Sequence, residues 1–336
     1  MAQLATVALL QGGPTSDALS EAVQRIIAAS GVDIAWKTLS AGVRAVEESG
    51  DPMPQETISA IRSIGLCLKP LLRTPVGGGY TSPNVTLRQA LGVFAGVRAI
   101  RSLRGVPSRY DDVDLILVRE LTEGTYAGIE HTIIPGVVET IKVMTREKAE
   151  QVIRFAFDEA RRRQRKQVTV VHKANIMKMS DGLFRNVGRR IAAESDDIAH
   201  RDIIADNAAM QMVARPEQFD VLVAGNLFGD ILGDIGAGLV GSSLLVTSVN
   251  AASGVKVFEA TQHVGRTCNA KGEVSASPLA LLMPAIDLLH HLEEHDAAER
   301  IRAATSTVLS AGDRLTVAHG GVASTSEMAD AIIEAL

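Results

Sequence analysis

Short apolar runs alternate with longer segments of helical periodicity from the start of the chain. Thr6–Leu10 and Asp33–Thr38 have strand length, and the segments near Ala18–Ala29 and Gln55–Ile64 carry apolar residues at helical spacing. Such alternation predicts an α/β architecture built on a largely parallel sheet. From Val97 the texture changes: Val97–Leu103, Val113–Glu120 and Val137–Met144 predict longer strands, and the last leads into a helix near Arg146–Arg165. Strands follow at Val168–His172, Ile198–Ala205 and Val221–Ala224, with helices near Asp181–Ala193 and Leu227–Ile235. The tail returns to helices near Pro278–Glu294, Ala297–Ala311 and Ser326–Ala335. There is no internal repeat and no low-complexity linker. The change in texture predicts a small central domain, residues 97–239, inserted between two halves, 1–96 and 240–336, of a larger α/β domain. One uncharged stretch, Ile235 to Val255, is long enough to span a bilayer, but Gly, Ser, Thr and Asn make up about half of it, and it reads as a buried turn and loop.

A chain of 336 residues holds two domains or one two-lobed unit. Aromatic residues are only 3%, with one Trp and three Tyr, so base-stacking platforms have almost nothing to be built from. The net charge is −5, and an acidic ligand must therefore be held by a local cluster of Arg or Lys. Nucleic acid and membrane are not expected partners. The basic run Arg161-Arg-Arg-Gln-Arg-Lys166 ends a predicted helix, where cations suit the dipole, and reads as a solvated helix end. Cys67 and Cys268 are far apart in a chain too large to need staples. The N-terminus has no basic segment of the secretory kind, and a cytoplasmic location is expected.

Two motifs mislead. Gly236-Ala-Gly238-Leu-Val-Gly241 matches the dinucleotide fingerprint, with Glu259 at a distance suited to a ribose, but the glycines follow a helical segment rather than a first strand. They are expected to end a helix. In His290-His-Leu-Glu-Glu-His295, His291 and His295 are spaced to share a helix face and a metal, yet they sit at the charged end of an amphipathic helix, and a solvated face is expected.

The stronger signal is a scatter of Arg, Tyr, Lys and Asp in short, unusual contexts. Ser82-Pro-Asn84-Val-Thr-Leu-Arg88 is followed by Arg98, and then by Arg119-Glu-Leu-Thr-Glu-Gly-Thr-Tyr126-Ala-Gly-Ile-Glu-His131. The three guanidinium groups suit carboxylates, which they bind bidentately. His172-Lys173-Ala-Asn175 follows a predicted strand, a place from which Lys173 enters a cleft. Asp206 and the run Asn226-Leu-Phe-Gly-Asp230-Ile-Leu-Gly-Asp234 supply three carboxylates. Asp230 and Asp234 are one turn apart on an apolar helix with no Lys partner nearby, as ligands of a hard divalent cation would be.

Together these motifs resemble the β-decarboxylating dehydrogenases: isocitrate, homoisocitrate, isopropylmalate and tartrate dehydrogenases. Within that family S-x-N-x-x-L-R and T-E-G-x-Y-x-G-I-E-H look most like NAD-dependent isocitrate dehydrogenases, and Gly320-Gly-Val-Ala-Ser-Thr-Ser-Glu327 looks like the family's closing motif. The resemblance implies a two-domain isocitrate/isopropylmalate dehydrogenase-like α/β fold, not a Rossmann fold. It implies Mg2+ or Mn2+ at Asp206, Asp230 and Asp234, and substrate carboxylates clamped by Arg88, Arg98 and Arg119. Ser82, Asn84 and Asn175 also fall in substrate-binding positions. Lys173 would take the hydroxyl proton, and Tyr126 would protonate the enolate. Lys173 and Asp206 would reach into a partner's cleft, so a homodimer with shared active sites is implied, with dimer contacts in the central domain. The implied substrate is an isocitrate-like small-molecule polycarboxylate.

Departures from the family pattern cluster on the side that holds the dinucleotide. Gly12-Gly-Pro-Thr-Ser-Asp-Ala18, Gln262-His-Val-Gly-Arg-Thr-Cys-Asn-Ala-Lys271 with Ser277-Pro278, and Thr316-Val-Ala-His-Gly-Gly321 all differ from the relatives' motifs. His263 and Asn269 are left as candidate NAD contacts. Two readings follow: an oxidative decarboxylase with a redrawn NAD loop, and a non-oxidative metal-dependent lyase of a β-keto acid that has lost NAD. A regulatory subunit without turnover is disfavoured, because it has no need of both Tyr126 and Lys173.

Overall fold

The computed structural model describes residues 5–72, 82–260 and 268–336. By internal contact the chain divides into two units, residues 1–92, 103–111 and 241–336 forming the first and residues 93–102 and 112–240 the second. The first unit opens with β1 (Ala5–Gln11), α1 (Pro14–Ala29), β2 (Ile34–Ser40), α2 (Gly42–Ser49), α3 (Gln55–Ile64), β3 (Leu66–Lys69) and α4 (Pro83–Leu91). The second unit carries β4 (Ala95–Arg101), β5 (Asp114–Glu120), the hairpin strands β6 (Gly124–Ile134) and β7 (Val137–Val143), and α5 (Arg146–Arg162). It continues with β8 (Gln167–His172), α6 (Ser180–Ala193), β9 (Ala199–Ile204), α7 (Ala205–Ala214), β10 (Val221–Ala224) and α8 (Asn226–Leu239). The first unit resumes at β11 (Ser248–Ala252), β12 (Val255–Glu259), α9 (Leu279–His291), α10 (His295–Ala311) and α11 (Thr325–Glu334).

In the first unit the strands lie in the order β2-β1-β3-β12-β11, parallel except for β11 against β12. Val7, Ala8, Leu9 and Leu10 of β1 are wholly buried, because a central parallel strand covered on both faces is apolar throughout rather than alternating. Helix α9 is buried along Leu279–Leu289 and is a core helix by the same logic. Helix α11 starts on a reciprocal capping box, in which Ser324 accepts from the Glu327 N–H and Glu327 accepts from the Ser324 N–H.

The second unit orders its strands β4-β5-β10-β8-β9, with β4 antiparallel to β5 and the rest parallel. Ala224 of β10 is in register with Arg119 of β5 and Val171 of β8. Arg119, Asn226 and the Lys173 turn therefore emerge at one edge, the carboxyl ends of parallel strands, where open α/β sheets place their ligands. The hairpin β6–β7 forms a separate two-stranded sheet.

The structure corrects several expectations. The stretch from Ile235 to Val255 is turn and loop chiefly in its middle, 240–247: α8 runs on to Leu239, and Ser248–Ala252 is a strand whose Ser248, Val249, Asn250 and Ala251 are buried. Its polar residues misled because they turn inward, toward Glu259, rather than marking solvent. Gly236 and Gly238 lie within α8 and Gly241 just beyond it, as expected of a helix end rather than a pyrophosphate cradle. The histidines 291 and 295 do not share a helix: α9 stops at His291, α10 begins at His295, and Glu293 between them has φ 66°. Strands β3, β6, β11 and β12 and helices α2, α4 and α7 were not foreseen. In the basic run, Arg161 pairs with Asp158 and Asp197, Arg162 and Arg163 with Glu159, and Arg165 with Asp114 and Asp220. Among the described residues no helix is long and apolar enough to cross a membrane.

Gly241 has φ +78°, and a Cβ there would lie 2.0 Å from the Pro107 carbonyl oxygen. Gly238, inside α8, has no atom within 4 Å of where its Cβ would be. Gly241→Ala is expected to destabilise by about 2–4 kcal/mol, through both the left-handed backbone and the backbone collision. Gly238→Ala is expected to be neutral or stabilising by up to about 1 kcal/mol. Urea unfolding of both variants measures this, and equal midpoints would refute it.

Candidate active site

Arg119 on β5 and Arg98 on β4 share one sheet face, because Arg119 is paired across the antiparallel strands with Gly96, two residues before Arg98. Helix α8 lies on that face and carries glycine where the strands' side chains rise. A Cβ at Gly229 would meet the Arg119 side chain at 2.7 Å, one at Gly233 the Arg98 guanidinium at 2.0 Å, and one at Gly236 the Ile100 side chain at 2.3 Å. The glycines thus bring the helix's acidic residues within reach of both arginines. Asp230 receives Arg119 Nη1, Arg98 Nη2 at 3.3 Å and the Tyr126 hydroxyl at 2.8 Å, and Asp234 receives Arg98 Nη1 at 3.2 Å. Asn226, the first residue of α8, accepts from Arg119 Nε at 3.0 Å and Nη2 at 2.7 Å, and donates to the Glu123 carbonyl at 3.2 Å.

The reading of Asp230 and Asp234 as unpaired acids is therefore corrected: their counter-ions come from strands more than 100 residues earlier, a distance over which local sequence carries no signal. Tyr126, on the exposed hairpin strand β6, has its ring 5.3 Å from the Arg119 guanidinium. Its hydrogen bond to Asp230, with burial and the Asp230 charge, raises the phenol above its usual range and keeps it protonated.

Lys173 follows β8. Its ammonium pairs with Asp206 in the first turn of α7, and its backbone N–H donates to Asp181 at 2.6 Å. The bond from Lys173 holds Asp206 below the usual carboxylate range. Asn175 lies exposed in the turn that follows. Among the described residues no group of three His, Cys, Asp or Glu is placed to hold a metal. The expected triad is not assembled by one chain: Asp230 and Asp234 meet through Arg98, while Asp206 is engaged by Lys173.

In the first unit, Ser82 stands at the N-terminus of α4, Asn84 donates to the Leu72 carbonyl at 3.2 Å, and Arg88 occupies the last turn. Arg88 Nη2 bonds Glu259 Oε1 at 2.5 Å, and the buried Lys69 ammonium lies 3.1 Å from Glu259 Oε2. Burial works to raise the Glu259 carboxyl, but Lys69, Arg88 and Asn250 outweigh it and hold it down to about 2. Glu259 is thus a buried counter-ion and not a ribose ligand. Neither it nor Lys69 was among the expected site residues, since nothing in the local sequence marks a strand-end Glu and Lys as a pair. Burial pushes the neighbouring Cys67 thiol up to about 12, which leaves it unreactive.

His263 lies outside the described residues. Asn269 is engaged within its own turn: its Nδ2 donates to Glu273 and the Val322 carbonyl, and its Oδ1 accepts from the N–H groups of Lys271 and Glu273. With two donors and two acceptor sites spent, the side chain is consumed in its own turn. Two of the departing segments meet here as well, where Ser277 Oγ and His319 Nε2 are 2.8 Å apart and burial lowers the His319 pKa.

Glu259→Gln leaves Lys69 buried without its counter-charge, and a loss of about 3–5 kcal/mol is expected. The wild-type carboxyl titrates lower when folded than unfolded. Its contribution is therefore complete above about pH 4.5 and fades as pH falls toward 2. Stability measured against pH is expected to show this acid limb in the wild type and a shallower one in Glu259→Gln, and parallel curves would refute it.

The comparisons with known proteins agree with this architecture. A family model for isocitrate/isopropylmalate dehydrogenase matches residues 6–332. The mitochondrial NAD isocitrate dehydrogenase subunit 1 of Kluyveromyces lactis is 42% identical over 334 residues, covering 98% of this chain and 91% of that protein. The mitochondrial NAD isocitrate dehydrogenase regulatory subunit 1 of Arabidopsis thaliana is 38% identical over 332 residues, covering 98% and 89%. The crystal structure of isocitrate dehydrogenase from Methylococcus capsulatus superposes with a TM-score of 0.87 at 44% identity, covering 99% of both chains. The expected cytoplasmic location is corrected by these names, since both curated relatives are mitochondrial proteins. The chain belongs to the isocitrate/isopropylmalate dehydrogenase family and is an isocitrate dehydrogenase-like oxidative decarboxylase.

Proposed function

We propose that the chain oxidises an isocitrate-like 2-hydroxy tricarboxylic acid at C2 and releases CO2, with NAD as hydride acceptor and Mg2+ or Mn2+ as the metal. The observation that carries this reading is the convergence on Asp230 of two part-buried guanidinium groups and a protonated phenol. Asp230 and Asp234 offer hard carboxylate oxygens one helical turn apart, which suits a hard dication, and Asp206 of a second copy would complete the set. When bound, the cation supplies the positive charge that stabilises the electrons left by departing CO2. NAD enters the reading from the relatives.

The chain's own residues divide the remaining work. Arg98 and Arg119, with side chains 17% and 12% exposed, present low-dielectric guanidinium groups to substrate carboxylates. Arg88, aimed by Glu259, serves a third carboxylate, with Ser82 and Asn84 on the same helix start. Lys173, as the neutral amine, takes the C2 hydroxyl proton, and Asn175 stands two residues further along the same turn. Tyr126, held protonated, returns a proton to carbon after CO2 leaves.

A homodimer with shared clefts belongs to the same reading. The hairpin exposes Ile129, Ile133, Ile134, Val137, Val138 and Ile141, and a lone two-stranded sheet is marginal in water unless covered. A second copy would cover it. The non-oxidative lyase is disfavoured, because the relatives that match 98% of this chain are named for NAD isocitrate dehydrogenase.

Purified protein with Mn2+, NAD and isocitrate is expected to form NADH and CO2 together. Release of CO2 from oxalosuccinate without any NADH from isocitrate would instead support the lyase. Mn2+ is expected to raise the melting temperature, and Asp230→Asn to abolish that rise. Lys173→Met and Tyr126→Phe are each expected to lower kcat by about 100-fold or more. Mixing the two inactive proteins should restore part of the activity, because one cleft of the mixed dimer has both groups intact. If exchange of subunits is verified and no activity returns, the clefts are not shared.

A further inference from the structure

Lys142 and Asp181 form an ion pair that none of the chemistry above employs. Asp181, in the first turn of α6, is 2% exposed, so both carboxylate oxygens need partners. Oδ1 meets the Lys142 ammonium, and Oδ2 accepts the backbone N–H of Lys173 at 2.6 Å. The N–H groups of Ile176 and Met177 bond back to the Lys173 carbonyl, and the Asp181 N–H bonds to the Met177 carbonyl. Residues 173–181 thus form a closed turn whose first residue is pinned by the side chain of its last.

The other half of the pair comes from a different element. Lys142 lies on β7, the strand hydrogen-bonded to the Tyr126-bearing β6. Its ammonium is 5.3 Å from the ring centroid of Phe228, two residues before Asp230 on α8, and 3.7 Å from the Met177 sulfur. Beside the pair lies a largely apolar cavity of about 110 Å³. Dense packing does not locate the ammonium from that side, and its charge contact with Asp181 does.

We propose that Lys142 and Asp181 are positioning residues that fix the Lys173 turn against the Tyr126 hairpin, so that the Lys173 ammonium is delivered at a set distance from the reacting hydroxyl. The proposal rests on the assignment of Lys173 as the proton acceptor. A displacement of about 1 Å at such a group costs on the order of 100-fold in rate, which gives a remote ion pair leverage over turnover.

The test uses the full-length protein with isocitrate, NAD and Mn2+. Asp181→Asn and Lys142→Met are expected to lower kcat by about 10- to 100-fold while KM for isocitrate stays within about threefold, and Lys142→Arg is expected to recover most of kcat. Hydrogen exchange of the Lys173 amide is expected to quicken in Asp181→Asn, a change that needs no turnover to be seen. In the mixed dimer of Lys173→Met and Tyr126→Phe chains, Asp181→Asn should reduce activity more when placed on the chain that supplies the intact Lys173. Equal loss from either chain would overturn the proposal, as would unchanged kcat or Lys142→Arg performing no better than Lys142→Met. Retained turnover in Lys173→Met would instead remove the assignment of Lys173 on which the proposal rests.

Discussion

Helix α8 can lie against β4 and β5 only because it has no side chain where Arg119, Arg98 and Ile100 rise from the sheet. Glycine at 229, 233 and 236 is the condition for that approach, and Asp230 and Asp234 fall within reach of the arginines as a result. A bulkier residue at Gly229 would meet Arg119 close to its backbone and push the helix outward, and one at Gly233 would displace the Arg98 guanidinium itself. The apparent dinucleotide fingerprint in this segment shares that origin only in its first glycine: Gly236 is the last of the packing series, whereas Gly238 meets nothing and Gly241 satisfies a left-handed backbone requirement after the helix.

Charge in the first unit is handled by a different device. Lys69 and Glu259 are buried on neighbouring strands, an arrangement that costs desolvation and is offset only while both are present. With Arg88 added, two cations share one carboxylate, so the group as a whole retains one positive charge, carried by the half-exposed guanidinium at the start of the chain's candidate carboxylate site. Glu259 aims that charge without neutralising it.

Where they are described, residues of the segments that depart from the family pattern are engaged in local structure. Asn269 closes a turn with all four of its bonds, and Ser277 and His319, from two separate departing segments, bond to one another. Such coupling changes how the departures count: as a sequence they look like three independent losses, whereas two of them are halves of a single contact. The relatives named for NAD match across these segments too.

The sequence by itself determined the α/β class, most of the helices and central strands, and the family, because those depend on local periodicity and on short motifs whose residues are contiguous. Gln55–Ile64 and Val221–Ala224 were legible to the residue for this reason. It also singled out Asp230, Asp234, Arg98, Arg119 and Tyr126 by type and spacing, but not the contacts among them. Only tertiary structure decided that the two aspartates are paired, that Glu259 is a counter-ion for Lys69 and Arg88, that Asn269 is spent, and that Asp181 holds the Lys173 turn. Each of these is a pairing in space whose partners, apart from those of Asn269 and Asp181, are separated by many intervening elements. Burial and register set them, and neither is written in the order of neighbouring residues.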